Sequence, residues 1–184
     1  MRRDEYQIRS LTIGDLPLMR AIEEASFSTP WPGNAYESEL TTNRFARYVG
    51  AWRRGELLGF GGIWLMVDEA HVTTIAVAPA LRSEGLGTAL MLELLQEARR
   101  GDARVATLDV RVSNVPARRL YARLGFAEAG RRVRYYEETG EDAIIMTTAE
   151  LRDPQQQARE SLARTATDAD EPLPNQEAFD VLAR

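Results

Sequence analysis

The chain has 184 residues, 44% of them hydrophobic, and a formal charge of −5, enough for one folded domain with a core of ordinary size. It contains no cysteine, which excludes disulfides, thiolate metal sites and a cysteine nucleophile, so any group transfer must be direct. No run approaches eighteen apolar residues, residues 1–5 lead into no apolar signal region, and residues 1–149 carry only −1 against −4 from Glu150 onward; a cytoplasmic protein with neither membrane nor nucleic acid as partner is expected, as a monomer or weak dimer.

In chain order, residues 6–11 read as a short strand, and Gly14-Asp15-Leu16 opens an amphipathic helix to about Phe27 that carries Leu16, Met19, Ile22 and Glu23. Pro30 and Pro32 make residues 28–33 a loop, and a second helix is expected over 35–40. Residues 48–52, 57–67 and 71–77 read as three successive strands, the first two turning at 53–56, which predicts an antiparallel meander. A helix follows the glycines at 85 and 87. Its stripe of Leu86, Leu90, Leu94 and Ala98, with Met91 and Leu95 beside it, reads as core, and Gly101 ends it. Residues 105–112 form the next strand, 116–124 a helix, and two last strands flank a turn at 138–141. A strand, crossover helix and strand inside a run of hairpins implies one parallel pair within a mostly antiparallel, twisted mixed sheet, an α+β (α/β) fold. From Arg152 the composition shifts to Gln, Ala, Asp, Glu and Pro, so residues 1–149 are expected as the domain and 150–184 as an acidic, flexible tail.

The strand–helix junction Val77-Ala78-Pro79-Ala80-Leu81-Arg82-Ser83-Glu84-Gly85-Leu86-Gly87-Thr88 has the makings of a pyrophosphate cradle. The first amides of a helix have no intrahelical partner, the helix dipole adds partial positive charge, glycines let the backbone approach an anion, and Arg82 adds a full charge. A Walker loop needs a lysine, and the chain has none; a dinucleotide fingerprint needs a glycine where Leu90 stands. On its own the glycine pair is equally a device for easing entry into the helix.

Arg82-x-x-Gly85-x-Gly87 after Ile75-Ala76-Val77 resembles the acetyl-CoA signature of the GCN5-related N-acetyltransferases (GNAT). Leu108-Asp109-Val110 running through Asn114 and Ala117 to Leu120-Tyr121 and Gly125-Phe126 resembles a second segment of the same family, in the right order. Arg131-Arg132-Val133-Arg134-Tyr135-Tyr136 followed by Glu141-Asp142-Ala143-Ile144-Ile145-Met146, together with Pro30-Trp31 and Asp68-Glu69-Ala70, is similar to the branch of bacterial ribosomal-protein alanine N-acetyltransferases. The resemblance spans roughly residues 6–149. It implies the GNAT fold with about four helices, acetyl-CoA as cosubstrate, no metal, and as acceptor the basic N-terminal peptide of a ribosomal protein, an alanine of small-subunit protein eighteen. Alternatives are another protein N-terminus, a small-molecule amine, or a weakly active acetyl-CoA-binding module.

The resemblance also implies roles for particular residues. Cofactor contacts fall on Ile75, Ala76 and Val77 through their backbone, on Arg82, Ser83, Glu84, Gly85, Leu86, Gly87 and Thr88, and on Asn114, whose plain alternative is a helix cap. Transfer from a thioester to an amine needs a deprotonated amine and a proton for the departing thiolate. Asp109 is the candidate base; it sits mid-strand, opposite Ala106, Leu108, Val110 and Val112, where it could equally be an acid on a solvated face. The branch carries glutamate there, one methylene longer. Tyr121 is the candidate acid, although its spacing with Ala117 and Leu124 also suits a core tyrosine. Trp31 and Tyr136 are expected as walls of an acceptor groove, arginines 131, 132 and 134 as a basic hairpin, solvated by default with contact to a cofactor phosphate or the peptide as the alternative, and His71, the sole histidine, as a structural residue at a strand start, with catalytic base as the alternative.

Overall fold

The structure, a computed structural model, describes residues 6–27 and 29–151. Its strands are β1 (Gln7–Ser10), β2 (Ala46–Arg53), β3 (Glu56–Met66), β4 (Glu69–Val77), β5 (Val105–Arg111), β6 (Phe126–Tyr136) and β7 (Glu141–Thr148), and its helices α1 (Leu16–Ser26), α2 (Ala35–Thr41), α3 (Leu86–Arg100) and α4 (Val115–Arg123), with short 3-10 turns at Ile13–Asp15 and Pro79–Leu81. Their order along the chain is the expected one. The seven strands form one sheet ordered β1-β2-β3-β4-β5-β7-β6, antiparallel throughout except for the central β4–β5 pair.

Alternation sorts the strand residues between the two faces of the sheet. On one face the predicted stripe of α3, Leu86, Leu90, Met91, Leu94, Leu95 and Ala98, is wholly buried against Ile63, Val72, Leu108 and Val110, with α4 covering the same face. Leu151 belongs to this core; its amide donates to the Arg104 carbonyl at 2.6 Å and its carbonyl accepts Arg99 Nε at 2.9 Å. The expected tail, 150–184, lies outside the described residues from Arg152 onward. On the other face α1 and α2 bury Met19, Ile22 and Tyr36 against Tyr48, Phe60 and Ala76. No helix among the described residues is long and apolar enough to cross a membrane.

The parallel pair is short. β4 and β5 are paired only from Glu69 with Val105 to Val72 with Leu108, although β4 runs on to Val77 and β5 to Arg111. On its other edge β4 pairs Val72 with Ile63 and Thr74 with Gly62, so Thr73 is an extra, bulged residue. The bulge resets the phase of the strand. Beyond it the amide of Ala78 donates to the Leu58 carbonyl at 3.0 Å, so by alternation Ala76 and Thr74 turn their peptide groups toward β3, whereas Ile75 and Val77 turn theirs toward the gap between β4 and β5. A splayed pair with unpaired backbone donors and acceptors thus opens at the centre of the sheet.

Candidate active site

At the mouth of the splay stands the N-terminus of α3. Gly85 caps it with φ +88°, a left-handed conformation that an L side chain resists, and Ser83 before it has φ +67°. The first intrahelical bond is donated by Ala89 to the Gly85 carbonyl at 3.0 Å, and no side chain caps the amides of Leu86, Gly87 and Thr88. Arg82, Ser83, Glu84 and Gly85 are exposed. Arg82 Nε reaches the Val77 carbonyl at 3.4 Å, which ties the arginine to the open end of β4. A Cβ on Gly87 would touch Leu120 of α4 at 3.4 Å and Val77 at 4.0 Å, so the start of α3, the end of β4 and α4 converge on one opening. Uncapped amides, a glycine without neighbours and a flanking guanidinium suit an extended molecule with a pyrophosphate group.

Asp109 lies at the apex of the splay, one residue beyond the last β4–β5 pair. Its side chain is only 9% exposed, so it is not the solvated-face acid that strand alternation alone allowed. Arg132 Nε donates to Asp109 Oδ1 at 3.0 Å, and His71 Nε2 stands 3.9 Å from Oδ2. The basic hairpin is exposed, as expected, but its arginines are paired: Arg132 with Asp109, and Arg131 Nε with Asp142 at 2.7 Å.

Tyr121, half-buried on α4, packs against the apolar core beside Phe126, with ring centroids 5.9 Å apart. Burial, helped by the neighbouring Tyr136, pushes its phenol up to about 12. Tyr136 is likewise pushed up to about 12 by burial, against Arg111, which pulls it down, and with Asp109 adding to the rise. The Arg111 guanidinium lies 3.7 Å from the centre of the Tyr136 ring and is itself bonded to Glu138 and Glu141. Tyr136 thus sits within electrostatic reach of both Asp109 and Tyr121. Asn114 caps α4, its Oδ1 accepting the Ala117 amide at 3.3 Å, as the plain reading of that residue had it.

The pattern common to the Acetyltransferase (GNAT) family matches residues 16–126, which takes in α1, the cradle, both splayed strands and α4. The chain belongs to the GNAT acetyltransferase family. It is 37% identical over 143 residues to the [ribosomal protein bS18]-alanine N-acetyltransferase of Escherichia coli strain K12, covering 76% of this chain and 94% of that one. With the N-alpha-acetyltransferase RimI of Mycobacterium tuberculosis it shares 39% identity over 145 residues, covering 76% and 89%. The crystal structure of the E. coli ribosomal-protein-S18-alanine N-acetyltransferase superposes with a TM-score of 0.74 at 33% identity, covering 80% of this chain and 95% of that one. The chain is accordingly an N-acetyltransferase that takes its acetyl group from acetyl-CoA.

On the same face of this GNAT sheet as Asp109, against α1 and α2, lies a polar cluster built mostly of residues outside the motifs. The carboxylate of Glu23, buried in α1, accepts the Trp31 amide at 3.0 Å, and Trp31 stacks on Tyr36 with centroids 5.2 Å apart. The buried Tyr36 hydroxyl lies near Glu23 and Thr74 without forming a well-aligned hydrogen bond, and burial raises its phenol, Glu23 adding to the rise. The Tyr48 hydroxyl stands 3.3 Å from Thr73 at the bulge and donates to Glu39 at 3.3 Å; Glu39 also accepts Trp64 Nε1. Of the two expected groove residues, Trp31 belongs to this cluster and Tyr136 to the Asp109 side. The strand pattern holds one sign of the cluster: the consecutive threonines 73 and 74, where strict alternation would put one of them in the core.

Proposed function

We propose that this chain acetylates the α-amino group of the N-terminal alanine of the small-subunit ribosomal protein bS18, in the cytoplasm where that protein is made. What supports the acceptor is the pair of relatives named for N-terminal acetylation, and in E. coli for that alanine. The observation that carries the reading is the almost fully covered carboxylate of Asp109 at the apex of the splay.

The cradle at α3, the peptide groups of Ile75 and the amide of Val77 hold the donor along the open edge of β4, with its thioester next to the apex. An α-amino group ordinarily titrates near 7.7–8.0, well below a lysine at about 10.4, so an N-terminal ammonium gives up its proton to a modest base. Asp109 Oδ2, the oxygen that Arg132 leaves free, draws that proton away, directly, through one water or through a neighbouring side chain. The amine then attacks the thioester carbonyl, and a peptide N–H at the open edge of β4 steadies the negative charge that develops on oxygen. Tyr121 donates its proton to the departing sulfur. Its high pKa keeps it protonated until that thiolate forms, and the same dry surroundings raise the basicity of the sulfur. Asp109 and Tyr121 lie on opposite faces of the sheet, and a thioester threaded through the gap between β4 and β5 would have the base on one side and the acid on the other. Trp31 and Tyr136 flank the entry of the peptide.

The reading is tested by acetyl transfer to a synthetic bS18 N-terminal peptide, a peptide without N-terminal alanine, and free amines, using wild type, Asp109→Ala, Asp109→Glu and Tyr121→Phe. Transfer confined to the alanine-initiated peptide is expected, with kcat lower by about 10²–10⁴ in Asp109→Ala and about 10²-fold in Tyr121→Phe. Preference for a small amine would overturn the acceptor, and full activity in Asp109→Ala would overturn the base.

A further inference from the structure

A chain of polar side chains runs behind Asp109 on the same face of the sheet. Thr107 Oγ1 donates to Glu69 Oε1 at 2.6 Å and stands 3.0 Å from His71 Nδ1, and His71 Nε2 faces Asp109 Oδ2 at 3.9 Å. A hydroxyl carries a single proton. Since Thr107 spends its own on Glu69, its oxygen can only accept from His71, and the imidazole proton must sit on Nδ1. In the neutral ring Nε2 is then left without a proton, 3.9 Å from a carboxylate oxygen.

Two acceptors facing one another at 3.9 Å make no hydrogen bond and repel, unless a donor comes between them. Asp109 is held in place by Arg132 on its other oxygen, and His71 by Thr107, so neither ring nor carboxylate is free to turn away. A nitrogen about 2.9 Å from each acceptor sees them about 85° apart, which two N–H donors of an ammonium group meet with a bend of roughly 12° each. Building on the proposed role of Asp109, we propose that His71 Nε2 and Asp109 Oδ2 form a two-acceptor slot for the acceptor ammonium, and that His71 Nε2 takes the first proton.

In that step one N–H bond breaks, its electron pair stays on the amine nitrogen as the nucleophilic pair, and the proton forms a new bond to Nε2. The imidazolium then forms an ion pair with Asp109 Oδ2 across the 3.9 Å gap, which stabilises its charge until the proton passes to solvent; nothing is oxidised or reduced. The slot also makes up for the short aspartate, because the imidazole reaches from β4 where a longer carboxylate would reach from β5. The same arrangement weakens the slot in acid. A His71 already protonated on both nitrogens has no lone pair to offer the amine, so the slot is left with one acceptor. The groups facing His71 are Glu69 on its own strand, Thr107 and Asp109 from β5, Arg132 from β6, and from β3 the ring of Trp64, centroids 6.3 Å apart, with Glu39 of α2 bonded behind it.

Because the chain has a single histidine, its imidazole nitrogens give an unambiguous NMR signal with no activity required. In 15N-labelled full-length protein at alkaline pH, a proton on Nδ1 and a bare Nε2 are expected, with Thr107→Val shifting the population toward the Nε2–H form. An Nε2–H tautomer in wild type would overturn the proposal. In turnover of the alanine-initiated peptide, His71→Gln is expected to lose about 10²-fold in kcat with acetyl-CoA affinity unchanged and the acid limb of kcat/KM displaced or gone. His71→Gln with wild-type kcat and an unmoved acid limb overturns the slot even if Asp109→Ala is dead, whereas an inactive His71→Gln beside an active Asp109→Ala keeps His71 and removes Asp109 from the base role. Should His71→Gln fold poorly, the Thr107→Val profile decides, a wild-type profile counting against the slot.

Discussion

The two faces of the sheet are built from the same strands and do different work. Val72, Leu108 and Val110 point into an oily layer closed by α3 and α4, while their immediate neighbours His71 and Asp109 point into a polar layer that shares its face with α1 and α2. Period-two alternation is what lets a single strand do both. The lesson is that rigidity and chemistry can be separated by the thickness of one backbone, and a substitution ought to disturb one without the other.

The largest effect on stability is expected on the oily side. Leu94, fully buried on α3, should cost about 2–5 kcal/mol when changed to alanine, read by denaturant unfolding, with acetyl transfer per folded molecule unchanged. A collapse of activity in a still-folded Leu94→Ala would break the separation. On the polar side Gly62→Ala comes next. Its Cβ would fall 2.4 Å from the Tyr48 ring, whose hydroxyl meets Thr73 at the bulge, so about 1–3 kcal/mol of stability should go together with a rise in the KM for peptide.

Gly85→Ala sharpens the contrast further. A Cβ there meets nothing, so only the φ of +88° resists it, at about 1–2 kcal/mol, and the KM for acetyl-CoA should rise without a change in peptide preference. Removing the hydroxyl in Tyr48→Phe should cost about 0.5–1.5 kcal/mol, since Glu39 keeps Trp64 Nε1 as a partner. The last effect is silent at neutral pH. Tyr121 and Tyr136 have folded pKa values raised to about 12 from an ordinary 10, so the stability they lend is whole below pH 10 and is lost as pH climbs from 10 toward 12. Thermal melts across that window should fall more steeply in wild type than in a Tyr121→Phe, Tyr136→Phe double variant.

The oily side was the legible one. The 3.6-residue stripe of α3, the meander of β2 to β4 and the crossover into β5 all follow from periodicity and breakers, because burial on one face leaves no choice of phase. Strand and helix ends moved by a residue or two where capping and pairing decided them. On the chemical side, Arg82, Gly85 and Gly87 could be read because an anion cradle needs local backbone geometry, which is written in consecutive residues. The pairings Arg132–Asp109, His71–Thr107–Glu69 and Trp31–Glu23 join residues 8 to 38 positions apart, and nothing local announces them. The partners of His71 and Arg132 come from other strands for that reason, and neither residue's own neighbours in the chain hint at them.

The bulge at Thr73 gives the chain an unusual grammar of change. Thr73 is the one residue here without a partner on β3, so dropping it would leave Thr74 opposite Gly62 and keep Ile75, Ala76 and Val77 in their present phase, at the loss of the local bend. A lineage could therefore lose that single codon without scrambling the strand, whereas losing any of the paired codons after it would have to be absorbed by pulling Thr73 into the ladder.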